Sequence, residues 1–183
     1  LAADGRIYNA AFVYDNKGSC IARHRKTHLF DINVPGGQYF MESDTFTAGR
    51  DVTTFDTPWG RMGLMICYDI RFPELIRSEM LAGSKIQFVV AQWPAARQLH
   101  WDVLNRARAI ENQSYICCTN SVGTAGEVRC AGHSAVYGPM GECLILGGEK
   151  EQILIADMEI QEIDRVRSSI NIYRDRRPEV YQL

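Results

Sequence analysis

The sequence lacks the features that mark membrane-spanning, secreted and nucleic-acid-binding proteins. Its apolar runs end well before the roughly 18 residues that a membrane-spanning helix needs, and no basic stretch followed by an apolar one marks a secretion signal. The net charge is only −2, from 20 basic and 22 acidic residues that are mixed along the chain. No basic stripe therefore predicts a nucleic-acid partner, and no acidic tail predicts disorder. We expect neither a membrane nor a nucleic acid as partner.

A metal or disulfide pattern is also missing. The chain has six cysteines, at positions 20, 67, 117, 118, 130 and 143. None forms a C-x-x-C pair and no histidine stands at zinc-ligand spacing from them, so no metal and no other cofactor is expected. Most of these cysteines lie in apolar, strand-like runs. Reduced cysteines in a cytoplasmic protein fit that distribution better than a disulfide framework does.

The composition indicates one folded domain over residues 1–183. Of 183 residues, 46% are hydrophobic, which is enough for one core and too little for two comfortable domains. The sequence opens on Leu1 and enters strand-like sequence within a few residues. We interpret this as a start inside a domain whose first strands and helices are missing, the alternative being a trimmed but complete domain. Residues 170–183 form a separate basic tail.

Strand-like and helix-like segments alternate along most of the chain, and some strands also pair in hairpins. Strands are expected at 6–14, 19–25, 52–56, 62–67, 86–91, 115–120, 134–137, 142–146 and 153–157, and helices at 73–81, 98–112 and 159–167. Residues 26–51 are rich in Gly, Pro, Asp and Thr and have little periodicity, so we expect a long loop there. This mixture favours mixed sheets with helices outside them, in an α/β (α+β) fold.

Cys67 stands between a buried strand and a helix that opens at Pro73. A side chain at such an elbow is held rigidly at the edge of a sheet, where backbone N–H groups can stabilise an anion. An acyl-transfer nucleophile is presented in this way. The alternative is a small buried hydrophobic residue that happens to be cysteine.

Two charged residues precede Cys67 at the ends of strand-like or loop segments. Lys26 ends a strand, and an ammonium beside a thiol would lower its pKa and stabilise a developing oxyanion. Glu42 lies in the long loop and could fix such a lysine and handle protons. By itself, each is more simply interpreted as a solvated surface charge.

Together these motifs resemble the nitrilase superfamily of carbon–nitrogen hydrolases. The resemblance is carried by three sets in order: R-K-T-H-L-F from Arg25, E-S at Glu42, and G-L-M-I-C-Y-D-I-R-F-P-E from Gly63. Trp93-Pro94 and the helix sequence R-A-R-A-I-E-N from Arg106 extend it. The resemblance implies an α-β-β-α sandwich of two mixed sheets with helices on the outer faces.

The resemblance also implies roles for individual residues. Cys67 would attack an amide or nitrile carbon and form a thioester with amides, while Lys26 and the backbone N–H of Tyr68 would hold the oxyanion. Glu42 would position Lys26. The superfamily's general base is a further glutamate on an earlier strand–helix junction. Neither Asp4 nor Asp15 matches that motif, so we expect the base on a complementary N-terminal fragment or a segment outside these residues.

The segment that begins at Trp93 is similar to the omega-amidase branch, whose substrates are small carboxylate monoamides such as 2-oxoglutaramate. Such a substrate needs a cation at its far end, and Arg71 and Arg97 are candidates because a guanidinium binds a carboxylate bidentately. For Arg71, an internal ion pair with Asp69 or Glu74 is slightly favoured. Trp93 would either wall the pocket or pack in the core.

Other interpretations remain open at this point. The protein could be a nitrilase or an N-carbamoyl amidase of the same superfamily, or a non-catalytic binding or assembly module. His28, His100 and His133 are interpreted as structural, and Glu111 as a buried partner of a helix arginine. The tail is similar to tails that pack on a neighbouring subunit, so a homodimer is expected.

Overall fold

The computed structural model describes Ala3 and residues 5–181, so the expectations on Asp4 and on the last two tail residues lie outside the described part. There are three α-helices in this part, namely α1 (Pro73–Leu81), α2 (Gln98–Asn112) and α3 (Ile160–Ser169). The strands are β1 (Ala10–Tyr14), β2 (Cys20–Arg25), β3 (Asp31–Asn33), β4 (Tyr39–Met41), β5 (Thr54–Thr57), β6 (Gly60–Ile66), β7 (Ile86–Ala91), β8 (Tyr115–Asn120), β9 (Thr124–Ala125), β10 (Val128–Arg129), β11 (Ala135–Tyr137) and β12 (Cys143–Leu146).

A six-stranded mixed sheet forms the centre of the fold, in the order β12-β11-β8-β7-β6-β5. Strands β6, β7 and β8 are parallel, and the strands outside them are antiparallel to their neighbours. The parallel strands are apolar on successive residues, as in Leu64, Met65 and Ile66, because both faces of the sheet are covered. Nearly continuous burial from Met62 to Ile66 agrees with that pattern.

Each face of this sheet has its own apolar cluster. On one face, residues of α1 and α2 such as Ile76 and Trp101 pack with Met65. On the other face, Leu64 packs with Ile163 of α3 and with Ala11 of the β1–β2 hairpin. The two neighbouring cysteines of β8 are divided between the faces, Cys118 toward the first cluster and Cys117 toward the second. This alternation along a strand confirms the expectation for that pair.

The expected α/β class and several element bounds are confirmed. Helices 73–81 and 98–112 and strands 86–91 and 115–120 have the predicted limits. Within the described residues, the second β layer is the antiparallel two-stranded hairpin β1–β2, so the main sheet alone is mixed. No helix of the described part is long and apolar enough to cross a lipid bilayer.

Two expectations about secondary structure were wrong. The segment 26–51 is not a plain loop, since β3 and β4 form a small antiparallel hairpin across a turn in which Gly36 adopts φ +70°. Its strands have three residues each, too few to show a period of two in the sequence. The segment 153–157 is not a strand, because no described strand pairs with it, and Ile153 is 90% exposed. The last helix is Ile160–Ser169 rather than 159–167.

Candidate active site

A cavity of about 590 Å³ lies at the carboxyl ends of β6 and β7. These strands are parallel neighbours, so the residues that follow them, Cys67 after β6 and Gln92 after β7, meet at one edge of the sheet. All seven residues that the sequence singled out line this cavity: Lys26, Glu42, Cys67, Tyr68, Arg71, Trp93 and Arg97. Seven positions spread over 72 residues of the sequence therefore meet at one cavity.

Cys67 begins a tight turn rather than ending the strand. The segment Cys67–Arg71 forms a 3₁₀ turn, and Cys67 itself adopts φ +49°, in the left-handed region that L-residues rarely occupy. Strain of this kind persists only where the surrounding structure imposes it, and it is common where a side chain must be presented to a ligand.

The Lys26 ammonium and the Glu42 carboxylate form a buried ion pair beside Cys67. Lys26 Nζ lies 2.5 Å from Glu42 Oε2, and both side chains are at most 5% exposed. Glu42 Oε2 also accepts the Phe30 N–H at 2.7 Å, and Glu42 Oε1 accepts Asn9 Nδ2 at 2.9 Å. A buried ion pair needs such additional hydrogen bonds to offset the loss of hydration. The carboxylate is therefore fixed by three donors, and it fixes the ammonium in turn.

Opposing influences act on the Cys67 thiol. Burial raises its pKa, while the Lys26 charge and the Gln92 N–H lower it, and the charges of Glu42 and Asp69 raise it. Burial dominates, so the pKa of Cys67 lies above the ordinary value of 9.0 and the resting group is a thiol. A proton acceptor is needed before this sulfur can act as a nucleophile.

The cavity has a basic side formed by Arg71 and Arg97. Arg71 stacks over the Trp93 ring at 4.9 Å and hydrogen-bonds to His100 Nδ1 at 3.0 Å. Arg97 donates to Gln38 Oε1 at 3.0 Å and lies 5.7 Å from the Phe30 ring. Neither guanidinium forms an ion pair with an acid of the described residues. Burial lowers the pKa of Arg71, and the Arg97 charge adds to that effect.

The expected ion pair between Arg71 and Asp69 or Glu74 was wrong. The Asp69 carboxylate points into the protein, where it is 0% exposed and hydrogen-bonded to His24, His28 and the Ile66 N–H. Arg71, at the end of the same turn, points the other way into the cavity. Trp93 combines the two roles considered for it, since it is 2% exposed in the core and also walls the cavity.

The residues interpreted as structural have partners elsewhere. His28 pairs with Asp69 and His133 with Asp102, at 2.9 and 3.1 Å. Glu111 pairs with Arg108 at 2.7 Å, as expected, but its side chain is 37% exposed rather than buried. Asp15 sits in the β1–β2 turn, where it accepts the N–H groups of Lys17 and Ser19.

Several residues of the site had no signal in the sequence. Asn9 and Phe30 donate hydrogen bonds to the Glu42 carboxylate. Asn120 fixes the segment after β7, because its side-chain oxygen accepts the Trp93 N–H at 2.6 Å. A lone asparagine or phenylalanine has no spacing that marks such a role. Position was the only available sign for Asn120, which ends a buried parallel strand next to the one that leads to Trp93. Among the described residues, no group of three or more His, Cys, Asp and Glu side chains has metal-binding geometry.

The layered α/β fold thus carries a cysteine at a strand–turn elbow, next to a buried lysine–glutamate pair. Residues 2–168 match the carbon-nitrogen hydrolase family, and the chain belongs to that family. It is 41% identical to a hydrolase of Schizosaccharomyces pombe over 97% of this chain and 56% of that protein. It is 38% identical to omega-amidase NIT2 of Homo sapiens over 97% of this chain and 65% of that protein.

The likeness extends to three-dimensional structure. The crystal structure of Saccharomyces cerevisiae Nit3, a member of branch 10 of the nitrilase superfamily, superposes with a TM-score of 0.85 at 31% identity. That comparison covers 96% of this chain and 62% of the yeast chain. The resemblance to the nitrilase superfamily is thereby confirmed. The chain spans between about half and two thirds of the length of these relatives.

Proposed function

We propose that the protein hydrolyses the terminal amide of a small carboxylate monoamide, as the name omega-amidase describes for its relatives, through a thioester on Cys67. The observation that supports this most directly is the arrangement of the cavity. A thiol and a buried ammonium lie at its inner end, and two guanidiniums without an acidic partner among the described residues lie on its basic side. A molecule with an amide at one end and a carboxylate at the other matches both.

In the first half of the reaction, Cys67 Sγ loses its proton and attacks the amide carbon. The oxyanion that forms is stabilised by the Lys26 ammonium and the Tyr68 N–H. The C–N bond then breaks, the nitrogen takes up the proton, and ammonia leaves a thioester. In the second half, water attacks the thioester carbon, the C–S bond breaks, and the sulfur recovers a proton. The products are a dicarboxylate and the free thiol.

A general base other than Glu42 is part of this proposal. Glu42 is the one acidic residue that lines the cavity in the described part of the chain, and three donors occupy its oxygens. It is therefore suited to positioning Lys26 and poorly suited to accepting the thiol's proton. We assign the base to the glutamate that the resemblance implies on an earlier strand–helix junction, contributed by a complementary N-terminal fragment or segment.

A homodimer in the cytoplasm is the second part of the proposal. Helix α2 exposes an apolar stripe on its outer side, with Leu99 71%, Val103 53% and Ile110 50% exposed. The spacing of four and seven residues places these side chains on one helix face, a surface suited to a second copy. All six cysteines are free, which suits a reducing compartment. In the tail, Tyr173 packs on its own chain and donates to the Asn112 carbonyl at 2.5 Å, so the stripe supports the dimer better than the tail does.

The decisive experiment combines mass and activity. A denaturing intact-mass spectrum of the purified protein first shows whether a companion fragment accompanies the chain. The sample is then incubated with 2-oxoglutaramate, ammonia is measured, and an acid-quenched aliquot is weighed for an acyl adduct. With the companion fragment present, we expect ammonia release and an adduct that maps to Cys67, with both lost in Cys67→Ala; the chain without that fragment should release no ammonia. A panel with a nitrile and an N-carbamoyl acid, scored for ammonia and carbon dioxide, separates the three activities. Turnover by Cys67→Ala would refute the thioester, and preference for the nitrile or carbamoyl compound would refute the substrate class.

Binding of the substrate carboxylate by Arg71 and Arg97, here called the carboxylate clamp, gives a separate prediction. Arg97→Ala should raise the KM for an acidic monoamide about 10- to 30-fold, the size of one lost charge-assisted hydrogen bond. Hydrolysis of a neutral amide of the same length should change little. An unchanged KM for the acidic substrate would exclude Arg97 from the clamp.

A further inference from the structure

Asp69 lies two residues after Cys67 and is completely buried. Its carboxylate accepts four hydrogen bonds. Oδ2 accepts the Ile66 N–H at 3.0 Å and lies 3.0 Å from His24 Nε2. Oδ1 accepts the His28 N–H at 2.9 Å and lies 2.9 Å from His28 Nδ1. A carboxylate with this many donors is held in one orientation, and it holds each donor in turn.

The donors belong to the two segments that carry Cys67 and Lys26. Ile66 immediately precedes Cys67. His24 and His28 stand two residues before and two residues after Lys26. Their outer contacts fix them further: His24 Nδ1 lies 2.9 Å from Thr53 Oγ1, and the His28 ring stacks on Phe72 at 3.6 Å. One buried carboxylate therefore joins the nucleophile elbow to both sides of the lysine.

We propose that Asp69, through His24 and His28, is a positioning residue that holds the Lys26 ammonium in a fixed position beside the Cys67 thiol. This inference rests on the proposed function in that it takes Cys67 as the nucleophile. Asp69 does not line the cavity, so it acts on the reaction through Lys26 and the elbow. The backbone of Lys26 is also bonded to Asn9 and Gly49, so loss of the Asp69 contacts should displace the lysine without unfolding its strand.

Two effects of Asp69 on the thiol have opposite signs. Its negative charge by itself raises the pKa of Cys67, whereas the lysine that it positions lowers that pKa, and the lysine has the stronger influence of the two. A pure charge role therefore predicts that removing the charge makes Cys67 more reactive. A positioning role predicts the reverse. The charged or titratable groups around this pair are Lys26, Glu42, Asp69 and Arg71 facing Cys67, with His24, His28 and Glu79 facing Asp69.

The test measures the rate of Cys67 alkylation by iodoacetamide against pH, with peptide mass spectrometry to separate Cys67 from the exposed Cys20 and Cys143. The variants are Asp69→Asn and the milder His28→Phe, which keeps the stack on Phe72 and the Asp69 charge but loses the ring donor. Asp102→Asn is the matched control, because it removes the same type of aspartate–histidine pair at His133, outside the cavity. Lys26→Met supplies the background in which His28→Phe should no longer change the reactivity of Cys67.

We expect both Asp69→Asn and His28→Phe to move the alkylation midpoint upward, with about tenfold slower alkylation at neutral pH. Asp102→Asn should match the unmodified protein. In the Lys26→Met background, His28→Phe should cause no further shift. Where amide hydrolysis is measurable, kcat should fall about 10- to 100-fold in both variants, the effect of a misplaced group, with little change in KM.

Several results would overturn the proposal. A downward midpoint in Asp69→Asn would show a charge effect alone. A midpoint in His28→Phe equal to that of Asp102→Asn would show that the hydrogen bond has no influence on Cys67, and this variant decides the matter even if Asp69→Asn fails to fold. An equal shift by His28→Phe with and without Lys26 would show that the lysine is not the intermediary. Absence of amide hydrolysis by the chain together with its complementary N-terminal fragment or segment would refute the proposed function while leaving the alkylation result intact.

Discussion

Asp69 and Glu79 are both 0% exposed, yet their surroundings are opposite. Asp69 lies under the cavity, and four donors surround its carboxylate. Glu79 lies on α1 and faces β6, and neither of its oxygens has a hydrogen-bond partner in the described part of the chain. The backbone N–H of Leu64, which opposes the rise in the pKa of Glu79, is bonded to the Thr53 carbonyl. One acid is built into a network and the other is enclosed without one.

The pKa values of the two acids move in opposite directions as a result. For Asp69, burial raises the pKa, but hydrogen bonds from His24, His28 and Ile66 outweigh it and the net shift is downward. For Glu79, burial raises the pKa well above the ordinary 4.5, with only partial opposition from the Leu64 N–H. Burial alone therefore does not decide the charge of a carboxyl group; the number of donors does. We expect Asp69 to lose its proton at a lower pH than Glu79 does.

Asp69→Asn should have the largest effect on stability. The asparagine amide group would face donors that need an acceptor, and the loss should be about 3 kcal/mol of unfolding free energy at pH 7. The folded-state pKa of Asp69 lies below its ordinary value of 3.8, so its contribution is present above that value and is lost as the pH falls through the folded pKa. Urea denaturation measures both effects. A variant as stable as the unmodified protein would show that the network does not depend on the charge.

Gly63→Ala should have the next largest effect on stability. A Cβ at this position would lie 2.3 Å from Glu79 Oε2 and 2.8 Å from its Cδ, so we expect a cost of about 2 kcal/mol from overpacking. The Glu79→Ala background provides the control, because it removes the clashing atoms. Most of the cost of Gly63→Ala should disappear there. An equal cost in both backgrounds would place the strain elsewhere.

Glu79→Gln should have the smallest effect, and its size should depend on pH. Since the folded-state pKa of Glu79 is raised, the unmodified protein is most stable below pH 4.5 with respect to this group and loses stability as the pH rises toward the folded pKa. Glutamine does not titrate. The variant should therefore gain stability relative to the unmodified protein as the pH rises from 4.5 to 8. Alkylation of Cys67 should not change. A stability difference that is constant across this range would show that Glu79 does not titrate as described.

Parts of the fold were predictable because their signals are local. Pro73 at the first turn of α1 and the apolar run before Cys67 act through neighbouring residues, and the predicted bounds of α1, α2, β7 and β8 were confirmed. The β3–β4 hairpin was missed because three-residue strands have no readable period. The segment 153–157 alternates like a strand, but a strand also needs a partner, which the pattern does not supply.

The sequence by itself determined the family, through motifs in a fixed order, and it named seven of the residues that line the candidate site. Only the tertiary structure decided their pairing: Lys26 with Glu42 across 16 residues, His24 with Asp69 across 45, and Arg71 with His100 rather than an acid. It also gave one buried acid four donors and another none. The physical reason is that hydrogen bonds and solvation depend on what packing brings within about 3 Å, and residues far apart in the chain meet at that distance only once the sheet, helices and hairpins have assembled.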